Sequence, residues 1–77
     1  IKLNLEIKIN NQDYSKISNF EKTLNNYDLI YNYFISRFDK DFTEYKVIFN
    51  GTPDTFLREM SDKNYSFDTQ NRVWILK

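Results

Sequence analysis

The side chains best placed to do chemistry in this sequence are three neighbouring carboxylates, Asp39, Asp41 and Glu44. Carboxylate oxygens are the ligands that hard cations such as Ca²⁺ prefer. A calcium loop of the EF-hand type also needs a longer series of ligands and a glycine at its sharp turn, and this run has neither. Solvated charges in a hairpin connection are the better interpretation, so we predict no metal site and no cofactor.

The residue types that are missing narrow the chemistry further. The 77 residues include no cysteine and no histidine. A thiol nucleophile, a serine–histidine pair, a disulfide and a zinc site of the usual nitrogen and sulfur ligands are therefore excluded. No side chain has an ordinary pKa near neutrality, where general acid–base catalysis works best. We predict that the protein is not an enzyme.

The charge balance bears on the class of partner. Eleven basic residues are matched by eleven acidic ones, so the formal net charge is zero. Phosphate neutralisation requires a basic excess, and the composition therefore argues against a nucleic-acid ligand. No apolar run approaches the roughly 18 residues of a membrane span, and we predict none.

The elements that must position any site follow from the spacing of apolar residues. Leu3, Leu5, Ile7 and Ile9 alternate with polar residues, which is typical of a strand with one buried face. Further strands are predicted over 29–38, 43–50 and 65–77, the last with a bend or a small hairpin around residues 69–71. The polar residues 39–41 connect the second and third strands as a hairpin.

Two helices are predicted between these strands. Asp13 caps the first, whose apolar residues recur at spacings of three and four: Tyr14, Ile17, Phe20 and Leu24. Thr52 caps the second, Pro53 occupies its first position, and Asn64 ends it in a left-handed conformation.

The order of elements is β-α-β-β-α-β, and it predicts a fold of the α+β class. This is the ferredoxin-like arrangement: a four-stranded antiparallel sheet with both helices on one face. The first and third strands lie in the centre, and the second and fourth lie at the edges. The length predicts a single domain over 1–77, and the start at Ile1 predicts that it is excised from a longer protein.

Aromatic residues are the remaining feature that bears on function. Those expected to face the helices are Tyr14, Phe20, Tyr45, Phe49, Phe56 and Phe67. The excess lies on the edge strands, where apolar side chains mark contact with a partner. We therefore predict Tyr31, Tyr33, Ile35 and Trp74 as anchors of that contact. The alternative is that they pack under loops or against the rest of the parent chain.

The open face of the sheet allows a test of RNA recognition. Domains of this topology that bind RNA stack bases on aromatic residues of the two central strands. The outward positions predicted here are Lys2, Asn4, Glu6, Lys8, Glu44, Lys46 and Ile48. They include no aromatic residue, which again argues against nucleic acid.

Several of these residues also match a family pattern. They are Leu5, Ile7, Ile9, Asp13-Tyr14, Ile17, Leu24, Tyr45, Val47, Phe49, Gly51, Asp54, Phe56-Leu57 and Val73-Trp74-Ile75-Leu76. In this order they resemble the C-terminal part of a family of uncharacterised proteobacterial envelope proteins. The resemblance implies a longer parent in the periplasm or cell envelope, with the cytoplasm as the alternative. It implies no enzymatic activity.

A second resemblance concerns residues 57–74. Tyr65, Asp68 and Trp74 follow a short helix, and the segment is similar to accessory modules of annealing helicases. It implies a nucleic-acid accessory domain in a helicase-like parent.

These observations predict a non-catalytic protein-interaction or structural module of a bacterial envelope protein. It acts through sheet-edge or open-face contacts, and its partner is another protein or the remainder of the parent chain. A homodimer is a further arrangement. Two other classes stay open: the nucleic-acid accessory domain, and a small-molecule sensor at the edge of a dimer.

Overall fold

The alternating segment at the start of the chain becomes the middle strand of the sheet. The computed structural model describes residues 2–77. Its elements are β1 (Lys2–Asn10), α1 (Tyr14–Asn26), β2 (Ile30–Phe38), β3 (Phe42–Asn50), α2 (Pro53–Asp62), β4 (Phe67–Asp68) and β5 (Val73–Leu76). The predicted α+β class is confirmed, with a single sheet and two helices.

The sheet differs from the ferredoxin-like prediction. It has five strands in the order β2-β3-β1-β5-β4. Both β1 and β2 run antiparallel to β3, whereas β5 is parallel to β1. The prediction of a four-stranded antiparallel sheet is therefore wrong.

The difference arises in the last hairpin. After α2 the chain first forms the short outer strand β4, turns, and returns as β5 between β4 and β1. The Asp68 carboxylate supports the turn by accepting the Gln70 N–H at 3.1 Å. A small hairpin was one of the two predictions for this segment. Its second strand is the one that pairs with β1, and this reversal makes the contact parallel.

Both helices begin at the predicted caps, and the second ends close to the predicted Asn64. The Asp13 side chain accepts the Lys16 N–H at 3.0 Å, and the Thr52 hydroxyl accepts the Thr55 N–H at 3.2 Å. Asn64, just beyond α2, has a φ of 70°. Of the helices in residues 2–77, neither combines the length and the apolar character needed to cross a membrane.

The core lies between the helices and one face of the sheet. Its buried hydrophobic residues are Leu5, Ile7, Ile9, Phe20, Leu24, Tyr45, Val47, Phe49, Phe56, Met60 and Leu76. Tyr14 was expected in this set but is 78% exposed. It is the first residue of α1, and the helix contacts the core through Phe20 and Leu24 of its later turns.

Candidate interaction surface on the edge strand

The edge strand β2 carries most of the apolar surface that the fold leaves uncovered. Among residues 2–77, the large hydrophobic side chains that remain exposed are Tyr14, Tyr31, Phe34, Ile35 and Phe38. All but Tyr14 belong to β2, and we call those four residues the β2 surface. Their exposed fractions run from 48% for Phe34 to 72% for Phe38.

The β2 surface has residues on both faces of the sheet. Ile35 lies opposite Tyr45 on β3, and Phe38 lies opposite Thr43. Both β3 residues are buried on the helix side, so Ile35 and Phe38 also point to that side. Phe34 lies opposite Lys46, on the other face.

Two bulges shape β2. The register with β3 shifts between Ile30 and Asn32 and again between Ile35 and Arg37. The first shift turns Tyr31 towards the open face, where the Lys2 ammonium lies 4.0 Å from the centre of its ring. The second leaves Arg37 opposite Glu44, also on the open face.

Tyr33 holds the edge strand to α1. Its hydroxyl donates to the Asn25 side-chain oxygen at 2.8 Å, and its ring centre lies 6.3 Å from that of Tyr45. The side chain is half-buried. The predicted anchors thus divide: Tyr31 and Ile35 belong to the exposed surface, whereas Tyr33 supports it from the helix side.

Trp74 does not share this surface. It pairs with the buried Ile7 of β1 and therefore faces the helices. Its ring centre lies 6.2 Å from those of Phe56 and Phe67. The expectation that it sits on an exposed edge strand is wrong, because β5 lies inside the sheet, with β4 beyond it.

The open face carries aromatic residues that the sequence analysis missed. β3 begins at Phe42, one residue before the predicted start, and Phe42 pairs with Asn10 on the open side. The Lys8 ammonium lies 4.8 Å from the centre of its ring. Phe42 therefore adds an aromatic ring to the central strands, whose outward positions were predicted to have none, and Phe34 and Tyr31 of β2 lie on the same face. In the sequence, the exposure of Phe34 was indicated by apolar residues that fall on both faces of the strand predicted over 29–38.

A shallow groove crosses this face. Its volume is about 660 Å³, and its wall includes Phe34, Lys46 and Ile48. At one end Arg72 Nε lies 3.3 Å from a carboxylate oxygen of Glu6. The groove therefore has an apolar middle and a paired charge at its rim.

In the hairpin between β2 and β3, the Asp39 carboxylate stabilises the turn. Asp39 Oδ1 accepts the N–H of Asp41 at 2.9 Å and that of Phe42 at 2.8 Å. These bonds to the ionised form hold the pKa of Asp39 below its ordinary value. Within residues 2–77 no cluster of carboxylates has the geometry of a metal site.

A buried tyrosine joins α1 to β3 beneath the edge strand. The Tyr45 hydroxyl donates to the Glu21 carboxylate. Burial, and then the neighbouring negative charge, raise the pKa of Tyr45 above its ordinary value. The hydroxyl acts as a donor within the fold.

Comparisons with protein families, with curated proteins and with solved structures find no match to this chain. The two resemblances drawn from the sequence stay predictions.

Proposed function

We propose that this domain is a non-catalytic protein-interaction module that binds an extended, apolar segment of a polypeptide along β2. The observation that carries the proposal is the concentration of exposed large hydrophobic side chains on one edge strand. An edge strand has unpaired backbone N–H and C=O groups along its free side. A partner strand pairs with those groups while its side chains cover the apolar ones.

The composition of β2 supports this use of the edge. Proteins protect free edges with lysine, proline, charged residues, bulges or very short strands. β2 spans nine residues, and Ile30–Phe38 contains neither lysine nor proline, with Arg37 as its charged residue. Its bulges twist the strand but leave the apolar side chains uncovered.

The area of the β2 surface indicates how tightly a partner should bind. With about 200 Å² for a large side chain, the exposed fractions of the β2 surface leave roughly 450 Å² of side-chain area. At about 25 cal/mol per Å² the gross hydrophobic gain is on the order of 11 kcal/mol. The loss of translational and rotational freedom on association costs about 4–15 kcal/mol, which is comparable to this gain. A weak, reversible complex is therefore the expected outcome.

The envelope setting of this proposal comes from the family resemblance. Fractionation of the source cells tests it with an antibody against the domain. A band much larger than 9.4 kDa in the envelope fraction supports an envelope parent, and a small cytosolic band contradicts it.

One observation favours a second function, binding of single-stranded nucleic acid on the open face. Rings and cations lie side by side there, as at Tyr31 with Lys2 and at Phe42 with Lys8. Aromatic rings next to basic groups are the elements of stacking platforms. Titration with single-stranded DNA at two salt concentrations tests this function: salt-sensitive binding at micromolar protein supports it, and no binding removes it.

Site-specific photo-crosslinking tests the interaction module. A benzophenone amino acid replaces Phe34 in cells that produce the protein, and the matched control carries it at Arg58, an exposed position on α2. We expect a discrete polypeptide adduct at position 34 and none at position 58. Equal labelling at the two positions, or no adduct at 34, contradicts the proposal.

A further inference from the structure

We infer that the strand that pairs with β2 is β2 of a second copy of this chain, in antiparallel orientation about a two-fold axis at Phe34. This inference rests on the proposed function, because it names the occupant of the same edge. Isologous pairing of this kind requires a surface that is complementary to itself. The positions of the bulges and the faces of the side chains along β2 meet that requirement.

The bulges lie on either side of Phe34, nearly symmetrically. The register with β3 shifts between Ile30 and Asn32 and again between Ile35 and Arg37. When Phe34 faces Phe34 of the second copy, each shifted stretch comes opposite the other to within one residue. This matters because a bulge that faces a regular stretch shifts the register of a ladder.

The same register keeps facing side chains on the same side of the sheet. The facing pairs are Ile30 with Phe38, Tyr31 with Arg37, Asn32 with Ser36, Tyr33 with Ile35, and Phe34 with itself. Ile30 lies opposite Phe49 on the helix side, as Phe38 lies opposite Thr43. Tyr31 and Arg37 both lie on the open face. Apolar residues therefore meet apolar residues on the helix side and at Phe34, and Tyr31 meets Arg37 on the open face.

Neighbouring registers do not have this property. A shift of one residue places Phe34 of the open face against Ile35 of the helix side. Moving the axis to Tyr33 pairs Tyr31 with Ile35, and moving it to Ile35 pairs Tyr33 with Arg37. Each of these combinations joins opposite faces, because the bulges reverse the alternation at different points.

The charge on β2 is compatible with this arrangement. Arg37 is the charged residue of β2, and in this register it faces the ring of Tyr31 and not its own counterpart. A guanidinium beside a tyrosine ring is attractive. The Lys2 ammonium already lies 4.0 Å from the centre of this ring, so like-charge repulsion offsets part of that attraction. If the register continues beyond the strand, Asp28 of one copy comes beside Lys40 of the other.

The side-chain area by itself is small for a dimer. Two β2 surfaces of roughly 450 Å² each, estimated from the side-chain areas above, total about 900 Å², which is below the roughly 1,200 Å² at which specific, stable interfaces begin. Backbone pairing adds to this area and joins the two five-stranded sheets into one continuous sheet. We therefore expect a concentration-dependent equilibrium between monomer and dimer.

Cysteine crosslinking tests the register, since the chain has no cysteine of its own. In Phe34→Cys the two thiols face each other across the axis, where side-chain β-carbons are about 4.5–5.5 Å apart. The matched control is Ile35→Cys, whose exposure of 52% is close to the 48% of Phe34. Its two thiols lie on the diagonal, about 7–8 Å apart, beyond the reach of an unstrained disulfide. We expect Phe34→Cys to form the disulfide dimer at least about tenfold faster.

A mixture provides a second readout of the register. Tyr31→Cys and Arg37→Cys together should form a mixed disulfide in preference to either homodimer. Sedimentation of the unmodified protein should show a mass rising from 9.4 kDa towards twice that value with concentration. Circular dichroism checks that the exposed substitutions leave the fold intact.

The outcomes separate this inference from the proposed function. Equal crosslinking of Phe34→Cys and Ile35→Cys overturns the register, and a mass of 9.4 kDa at all concentrations overturns the dimer. If the benzophenone adduct at position 34 contains a different polypeptide, the interaction module stands and the homodimer fails. If no adduct forms at that position, both fail.

Discussion

Replacing Trp74 with alanine should lower the free energy of unfolding of the protein and leave the edge strand β2 unchanged. The indole packs against both Phe56 of α2 and Phe67 of β4, with each ring centre at 6.2 Å. It therefore connects the second helix to the terminal hairpin. Removal leaves a cavity at the point where β5 pairs with β1.

The magnitude follows from the burial of the side chain. Full burial of tryptophan gives losses of about 3–5 kcal/mol on truncation to alanine. Trp74 is half-buried, so we expect about 2–3 kcal/mol. A chain of 77 residues has a total stability of roughly 4–12 kcal/mol, and the variant should lose a large part of it.

Urea unfolding followed by far-ultraviolet circular dichroism measures this loss, since the substitution removes the tryptophan fluorophore. With a slope near 1 kcal/mol per M for a small domain, the midpoint should fall by about 2–3 M. The control is Phe34→Ala, which truncates an aromatic ring that is 48% exposed and should change stability by less than about 1 kcal/mol.

The two variants should also differ in self-association. Phe34→Ala should weaken it, and Trp74→Ala, examined at a urea concentration where it is folded, should not. If Trp74→Ala keeps the wild-type midpoint and loses association, the assignment of Trp74 to the core is refuted.

Two further predictions concern local structure. The pKa of Asp39 lies below its ordinary 3.8, so the stability it contributes is present above that value and is lost as the pH falls through the folded pKa. Between about pH 5 and about pH 2, Asp39→Asn should therefore lose less stability than the wild type. Urea unfolding midpoints at each pH measure the loss, and an equal loss in the two proteins would contradict the prediction. Gly51 has a φ of 155°, and an added β-carbon would lie 2.7 Å from the Phe49 ring. Gly51→Ala should lower the unfolding free energy by about 1–3 kcal/mol, and an unchanged thermal midpoint would refute the clash.

Local signals predicted the elements well because each acts over a few residues. Asp13 and Thr52 cap the helices through bonds to N–H groups three residues ahead. The alternation in β1 decides which side is buried in whichever sheet the strand joins. Asn64 adopts the left-handed conformation that its short polar side chain tolerates.

Part of the candidate surface was also visible in the sequence. Apolar residues on both faces of 29–38 indicated an edge with unused apolar area, and Tyr31 and Ile35 are exposed there. The faces on which Phe34 and Phe38 lie depend on the bulges of β2. These bulges shift the alternation of side chains between the two faces, and they arise from the pairing with β3. Trp74 was misplaced because its strand was assumed to be the outer one.

The sequence by itself determined which segments become helices and strands, where the helices begin, and that β1 and β3 are interior strands. It did not determine the order of strands at the far side of the sheet. Both strands of the terminal hairpin contain apolar residues. The local pattern of apolar residues therefore allows either strand to lie next to β1. Only the tertiary structure placed β5 inside, because there Trp74 and Leu76 pack against the helix-side core, and it left the bulged edge β2 as the free apolar strand.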